Sequence, residues 1–495
     1  MGNVAYKVFI DWDNDSVYTE ETSYLVRAAG AMNLGPPEEV EGSSGMVPYC
    51  TVVLSNKTNR FSPLNTGGPI YSSLSGGEMY LKPMYIEVSV DGGAYTRIFA
   101  GVLKLPQWQT ASTTQFPVAS FDCRGFEEKY LNVRVSTTQS DFVSWFDTGK
   151  TEGELIESWL TDLGLTLSDW DLDDGLFVIP YSRLKDSSII EACWKLAAAC
   201  GGRFYTTADG KFRYENMQHW LKAPHTTSQE TLTASDWSEI DSRLDDKDLY
   251  NRIIVKPSRG TLQEEGEIYK QDGAFVIGPG ESRTFKANIT GSLYRVKSIT
   301  YSLTTAGGHD MSGDVVVTTT YNVESIEFDL VNGHTSKSAE LSNLKIVGQV
   351  VSYDSDEQVE AVSTMSFWDT RPPRTRTISE SEFIQTQAHA EVIAEFLRDR
   401  QQLPRYVYNV QETVGKVTRK LGDLITLTIN GFASSDRTGY IIGIDWSIDH
   451  QGFTQTLTVM DSEALYPYMN TTPGYFIVDT NKYGDADPLR GRLFY

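Results

Sequence analysis

The sequence predicts a mainly β protein carrying an α/β insertion, and three observations lead there. Tyr, Phe and Gly are abundant at 26, 21 and 40 residues, a composition that favours strands and tight turns. Alternating apolar runs punctuated by Gly and Pro fill residues 1–140 and resume at Leu249, the pattern of short strands in a barrel or sandwich. Between them, Ser188 to Asn216 reads as a helix feeding directly into a hairpin.

In the first span, Val4–Ile10, Tyr49–Leu54, Tyr85–Val90 and Ala94–Val102 are the strand candidates. Asp11-Trp12-Asp13-Asn14-Asp15 resembles the start of a calcium loop. Its sixth position is Ser16 rather than Gly and its twelfth is Thr22 rather than Glu, so it reads as a solvated acidic turn. Thr151 to Pro180 holds Glu152, Glu154, Glu157, Asp162, Asp169, Asp171, Asp173 and Asp174 without Lys or Arg. Leu155, Ile156, Trp159, Leu160 and Leu163 recur at helical spacing there, so the carboxylates form the solvated face and turns of a short helix rather than a glycosidase pair.

The helix at Ser188 opens on a Ser188/Glu191 capping box and carries a stripe of Ile189, Ile190, Cys193, Leu196, Ala197 and Cys200. Gly201-Gly202 stops it. Arg203–Thr207 and Lys211–Glu215 then pair about a two-residue Asp209-Gly210 loop, which sets Tyr205 opposite Tyr214 and Thr207 opposite Phe212. Leu249–Val255, Phe275–Pro279, Val296–Leu303, Val315–Tyr321 and Leu344–Tyr353 follow as strands. Arg371-Pro372-Pro373-Arg374 marks a boundary, because prolines force extended backbone. Ser381–Gln402 is the longest helix, with Phe383, Ile384, Ala388, Val392, Phe396 and Leu403 on its buried side, and Pro404 ends it. Strands at Tyr406–Val410, Leu424–Ile429, Gly439–Ile448 and Thr454–Val459 close the fold, and an extended arm containing Tyr475–Val478 follows.

The chain of 495 residues is long enough for roughly three or four domains. Its 43 Lys and Arg against 66 Asp and Glu give a formal charge of -23. That balance excludes a binder of phosphate backbones, yet suits a wall that nucleic acid slides past. Cys193 and Cys200 are about 10 Å apart along their helix, too far for a disulfide. No CxxC spacing, targeting segment or long apolar span occurs, which points to cytoplasmic synthesis with reduced cysteines. GxSxG, HExxH, GxxxxGK[ST] and GxGxxG are absent. His219, His225, His309, His334, His389 and His450 are scattered and read as surface or capping residues. Trp108, Trp159, Trp170, Trp194 and Trp220 read as core or interface anchors rather than a sugar platform. No catalytic, cofactor-binding or metal residue is therefore expected.

Five pieces together resemble the tail hub (baseplate hub) proteins of long-tailed bacteriophages: Val8 to Asp15; Leu54-Ser55-Asn56 through Pro63 with Ile98 to Gly101; Gly201 to Tyr205 with Asp209 to Arg213; Leu249 to Val255; and the last helix with Leu421 to Ile425 and Tyr440 to Ile444. Their order covers most of residues 1–465, and 260–375 and the arm match least. The resemblance implies a first tube-forming β-barrel (1–140), a small α/β domain (141–240), and a strand-rich region (241–375) whose start joins the second barrel and whose remainder is accessory. A long helix with a second tube-forming barrel (376–465) and a C-terminal arm (466–495) complete it. It further implies a non-enzymatic homotrimer at the distal end of a virion tail. That trimer matches a sixfold tail tube or distal tail protein above to a threefold fibre or spike below, near a tape-measure protein, with DNA passing through its lumen. A carbohydrate-active tail enzyme or a glycan-binding adhesin is the alternative raised by the carboxylates and aromatics.

Overall fold

The computed structural model describes residues 4–34, 47–71, 80–109, 116–133, 146–183, 188–245, 249–322, 324–354, 358–363, 372–379, 381–412, 415–429, 436–449 and 452–462. The C-terminal arm and His450 lie outside them. The first β unit contains β1 (Val4–Ile10), β2 (Thr19–Glu20), β3 (Leu25–Asn33), β4 (Tyr49–Ser55), β5 (Lys82–Val90), β6 (Thr96–Leu103), β7 (Gln107–Gln109) and β8 (Val118–Arg124). These pair in the order β3-β4-β8-β6-β5-β1-β2, with β7 beside β8. The two ends of that path, β2 and β3, are joined by one short turn at Thr22–Tyr24. The sheet therefore rolls around Val8, Ile10, Leu54, Ile86, Phe99 and Phe121.

After the short helix α1 (Glu127–Tyr130) come β9 (Phe146–Thr151), α2 (Glu152–Asp162), β10 (Trp170–Leu172), β11 (Val178–Arg183), α3 (Ile189–Ala199), β12 (Arg203–Thr206) and β13 (Phe212–Glu215). At α3, Ser188 Oγ accepts from Glu191 N at 3.5 Å. The complete reciprocal box sits at α2, between Thr151 and Glu154. Gly201, at φ +66, ends α3 in a Schellman motif: Gly202 N donates to Ala197 O and Gly201 N to Ala198 O.

The hairpin register differs from the expected one. Phe204 faces Tyr214, Tyr205 faces Arg213 and Thr206 faces Phe212. Thr207 N donates to Lys211 O, so the loop has three residues and Gly210 takes the left-handed position at φ +86. One extra loop residue turns Tyr205 to the opposite face from Tyr214. Phe204, Phe212 and Tyr214 pack with α2 and α3, while Tyr205 enters the core of the closing strands.

β14 (Glu230–Leu232) and β15 (Trp237–Asp245) begin before residue 240, yet they pair with the closing strands. β16 (Arg252–Val255) does not join those strands, because it lies between β25 (Val359–Val362) and β26 (Thr375–Ile378). Inserted between β16 and β25 are β17 (Arg259–Leu262), β18 (Gly266–Lys270), β19 (Phe275–Ile277), β20 (Ser282–Asn288), β21 (Ser292–Thr304), β22 (Val315–Tyr321), β23 (Ser325–Asn332) and β24 (Ala339–Asp354). They form two sheets around a core of their own, including Leu293, Ile326, Phe328, Leu341 and Ile346.

The long helix, α4, runs Gln387–Gln401 and is capped by Thr386 rather than starting at Ser381. Its buried side is His389, Ala390, Ile393, Ala394, Phe396 and Leu397. Ala388 is exposed, and Phe383 and Ile384 are buried ahead of the helix. A stripe counted through the cap therefore carries the wrong phase. α4 packs with α2, α3, β16, β25 and β26, so it completes the α/β core rather than the second β unit.

The closing strands are β27 (Arg405–Glu412), β28 (Leu424–Leu427), β29 (Arg437–Asp449) and β30 (Gly452–Asp461). With β14 and β15 they follow the path β15-β27-β30-β29-β28-β14, whose ends are again consecutive in sequence. β29 pairs with β28 through Arg437–Tyr440 and with β3 through Gly443–Ile448. The two units thereby share one 14-stranded sheet, and no closed barrel is found among the described residues. Alternation in sequence identifies strands but not their partners.

Glu127 anchors the hairpin to the first unit. Its carboxylate accepts from Thr206 N at 2.5 Å while its other oxygen has no partner. Burial pushes its pKa up to about 7, against the opposing hydrogen bond from Thr206. A raised folded pKa stabilises below the unfolded value near 4.5, and the contribution disappears as pH rises through 7. Glu127→Gln is thus expected to stabilise the protein by about 1–3 kcal/mol at pH 8 and to leave it little changed at pH 5. Urea midpoints across that range check this, and an equal shift at both pH values would contradict it.

Candidate functional site

Eight strands in the order β7-β8-β4-β3-β29-β30-β27-β15 span both units, and directly paired residues share a face. One face is core: Ile240, Val410, Leu457, Ile444 and Met32 stand side by side, as do Phe453, Ile448, Ala28, Val52 and Phe121. The opposite face is polar, with small residues over its middle strands and larger ones toward its ends. One row across it reads Glu239, Gln411, Thr456, Asp445, Ala31, Tyr49, Arg124. The next rows are Asp241, Asn409, Thr458, Gly443, Asn33 and Thr454, Ser447, Ala29, Thr51, Asp122.

Glu239, Asp241, Asp445, Asp449 and Asp122 place carboxylates on this face, while Arg243, Arg27 and Arg124 place guanidiniums. Thr458 Oγ1 donates to Asn409 at 3.4 Å and Thr51 Oγ1 to Asp122 at 3.4 Å. Burial raises the Asp445 carboxyl above its ordinary value, with Asn33 opposing. At the outer ends, β15 pairs only with β27 and β7 only with β8 among the described residues. Both strands are exposed, Ser238, Glu239 and Asp241–Leu244 along β15 and all of β7. Exposed sheet edges are templates for another strand.

The structure accounts for the polar residues that stood out in the sequence. Asp11 is buried and accepts from Asp15 N and Ser16 N, at 3.2 and 2.9 Å. The acidic turn thus caps its own backbone, with Asn14 and Ser16 at positive φ. Among the described residues, no group of three or more His, Cys, Asp or Glu side chains is placed to hold a metal. Glu152 is not on a solvated face: it is fully buried and accepts from Leu176 N, Phe177 N and Tyr214 Oη at 2.7, 2.8 and 3.1 Å. Trp159, Trp170 and Trp194 lie in the α/β core, Trp220 in the second core, and Trp108 is exposed on β7. His219 and His225, scattered by sequence spacing, are brought to 4.9 Å between ring centroids. Among the described residues no helix is long and apolar enough to cross a membrane.

No family model matches the sequence, and no curated protein matches it. Solved structures do resemble it. The tail protein from Neisseria meningitidis MC58 superposes with a TM-score of 0.51 at 9% identity, covering 94% of this chain and 98% of that one. The 43 kDa tail protein of prophage MuSo2 from Shewanella oneidensis gives 0.49 at 10% identity over 93% and 99% of the two chains. Prophage tail protein gp18 from Listeria monocytogenes EGD-e gives 0.44 at 9% identity over 92% and 94%. The chain thus shares the mainly β fold of the Neisseria tail protein over nearly its whole length.

The seam where β3 pairs with β29 has little room. A Cβ on Gly30 would lie 2.6 Å from Cys50 Cβ, from the Trp446 ring and from Tyr49 O. Gly30→Ala is expected to cost roughly 1–3 kcal/mol through overpacking and to shift the fluorescence of Trp446. An unchanged urea midpoint would show that the seam is looser than described.

Proposed function

We propose that this chain is a structural hub of a phage tail tip, a homotrimer that forms part of the DNA conduit and adapts a sixfold tube to a threefold fibre or spike. The observation that carries the reading is the open eight-stranded sheet with one polar face and an exposed edge at each end. Joining β15 of one protomer to β7 of the next would close three such sheets into a wall wide enough for an aqueous channel. Each chain supplies two β units of similar path, so three chains present six, a quasi-sixfold ring.

The polar face is the side that would line the channel. Its Thr, Ser, Asn, Gln, Ala and Gly residues offer little to grip, and carboxylates outnumber guanidiniums. A phosphate backbone finds no run of Lys and Arg to neutralise it, so DNA passes without being held. The fold shared with a tail protein supports placement in a virion tail; the distal end is the position this proposal gives it. The partners of this reading are a tail tube or distal tail protein above, a fibre or spike below, and a tape-measure protein inside. It assigns no catalytic step.

Adjacent positions on β15 separate assembly from folding. Of Ser242→Pro and Arg243→Pro, one removes an N–H aimed at β27 and the other an N–H aimed outward. The outward variant is expected to keep its thermal midpoint while its association weakens at least tenfold, read as loss of the trimer in native mass spectrometry. Two variants that both remain trimeric, or a wild type that is monomeric at micromolar concentration, would overturn the reading.

A further inference from the structure

We propose that His219 and His225 form an acid-sensitive latch that holds the β12–β13 hairpin against the second β unit. His219 Nδ1 lies 2.8 Å from Asp173 Oδ2, and its Nε2 lies 3.1 Å from Arg213 Nη2. A guanidinium can only donate. Nε2 is therefore the acceptor and Nδ1 carries the proton given to Asp173, a bonding pattern open only to neutral imidazole. His225 Nδ1 is 2.7 Å from Gly422 O, and a carbonyl only accepts, so this nitrogen is protonated as well. That bond ties the turn after β13 to the loop before β28.

The same contact continues into the sheet. Gly422 lies against Trp220, where a Cβ would come within 2.7 Å of the indole nitrogen. Trp220 in turn stacks on Tyr440 of β29 at 4.9 Å, and Tyr440 Oη donates to Trp220 O at 3.4 Å. Movement of residues 219–225 is thus felt in the strand that joins the two units.

The charged surroundings decide the direction. β13 presents Arg213 and Glu215, and β12 presents Arg203, stacked on Trp220 at 3.9 Å. The segment after β10 presents Asp173, with Asp171 beyond Arg213 at 3.3 Å. Lys222 lies on the turn itself, and Lys420 and Asp423 lie on the facing loop. Glu215 Oε1 is 3.6 Å from His219 Nε2. Its carboxylate is already engaged by Tyr205 Oη at 2.7 Å, Trp220 Nε1 at 3.0 Å and Arg213 Nε at 3.0 Å. A proton on His219 Nε2 would set two donors face to face, and a second proton would place another cation 4.9 Å away on His225. Burial already holds His225 below the ordinary histidine value, with its bond to Gly422 opposing. A depressed folded pKa gives stability that is present above about 6.5 and lost as pH falls.

Hydrogen exchange of the full chain at pH 7.5 and 5.5, corrected for intrinsic rates, tests the latch. Peptides covering 203–225 and 420–424 are expected to exchange at least tenfold faster at pH 5.5, while peptides from the separate 259–354 module stay unchanged. His219→Gln and His225→Gln, singly and together, keep a neutral side chain and are expected to abolish that pH dependence. The wild-type measurement stands alone if a variant fails to fold. Equal protection at both pH values would overturn the latch, as would tighter protection in acid through capture of imidazolium by Asp173 and Glu215. Undiminished pH dependence in folded variants would overturn it too.

Discussion

Six residue pairs between β3 and β29, from Ala28–Ile448 to Asn33–Gly443, join strands more than 400 positions apart, and the rest of the architecture depends on them. They turn two rolled sheets into one surface. Their side chains also cross the boundary. Trp446, Ile448 and Phe453 belong to the first core, while Met32 and Leu34 belong to the second. Neither unit has a complete interior without residues from the other, so the seam is a shared core rather than a docking contact.

The hairpin reinforces the seam from the side. Phe204, Phe212 and Tyr214 face the α/β core, Tyr205 reaches the second core, and the tip lies on the first unit, where Arg97 donates to Asp209 O at 3.3 Å. Gly210 leaves space for Phe126 and Ala100 there. α4 steadies the end of α3 that feeds the hairpin, since Phe396 packs over Gly201 and His389 contacts Ala199 O at 3.1 Å. Residues 259–354 stand apart from all this, with a core that, among the described residues, draws on no other element.

Much of this is legible in the sequence where the signal is local. The α3 stripe and its Gly201 stop, most strand positions and the mainly β class follow from periodicity and turn chemistry. The misreadings share one physical origin, a longer-range partner that local pattern does not encode. The Asp209-Gly210 dipeptide does not reveal that Thr207 pairs with Lys211, which shifts the register by one. Glu152 looks like part of an anionic helix face until Leu176, Phe177 and Tyr214 enclose it. The polar face was hidden for the same reason: Thr456, Asp445, Ala31 and Tyr49 come from four strands, and only the β3–β29 register puts them in one row. The meeting of His219 with His225 likewise depends on a turn that spacing alone does not show.

The net charge of -23 takes on a more specific meaning in this arrangement. The central claim is that the face carrying Asp122, Asp241 and Asp445 encloses a channel. The most direct test is an electron cryo-microscopy reconstruction of the purified assembly or of the tail tip, at a resolution that separates strands. The account predicts a threefold ring in which β15 of each protomer continues into β7 of the next and these aspartates point to the axis. A ring with that face turned outward, or one whose protomers meet through other edges, would contradict it.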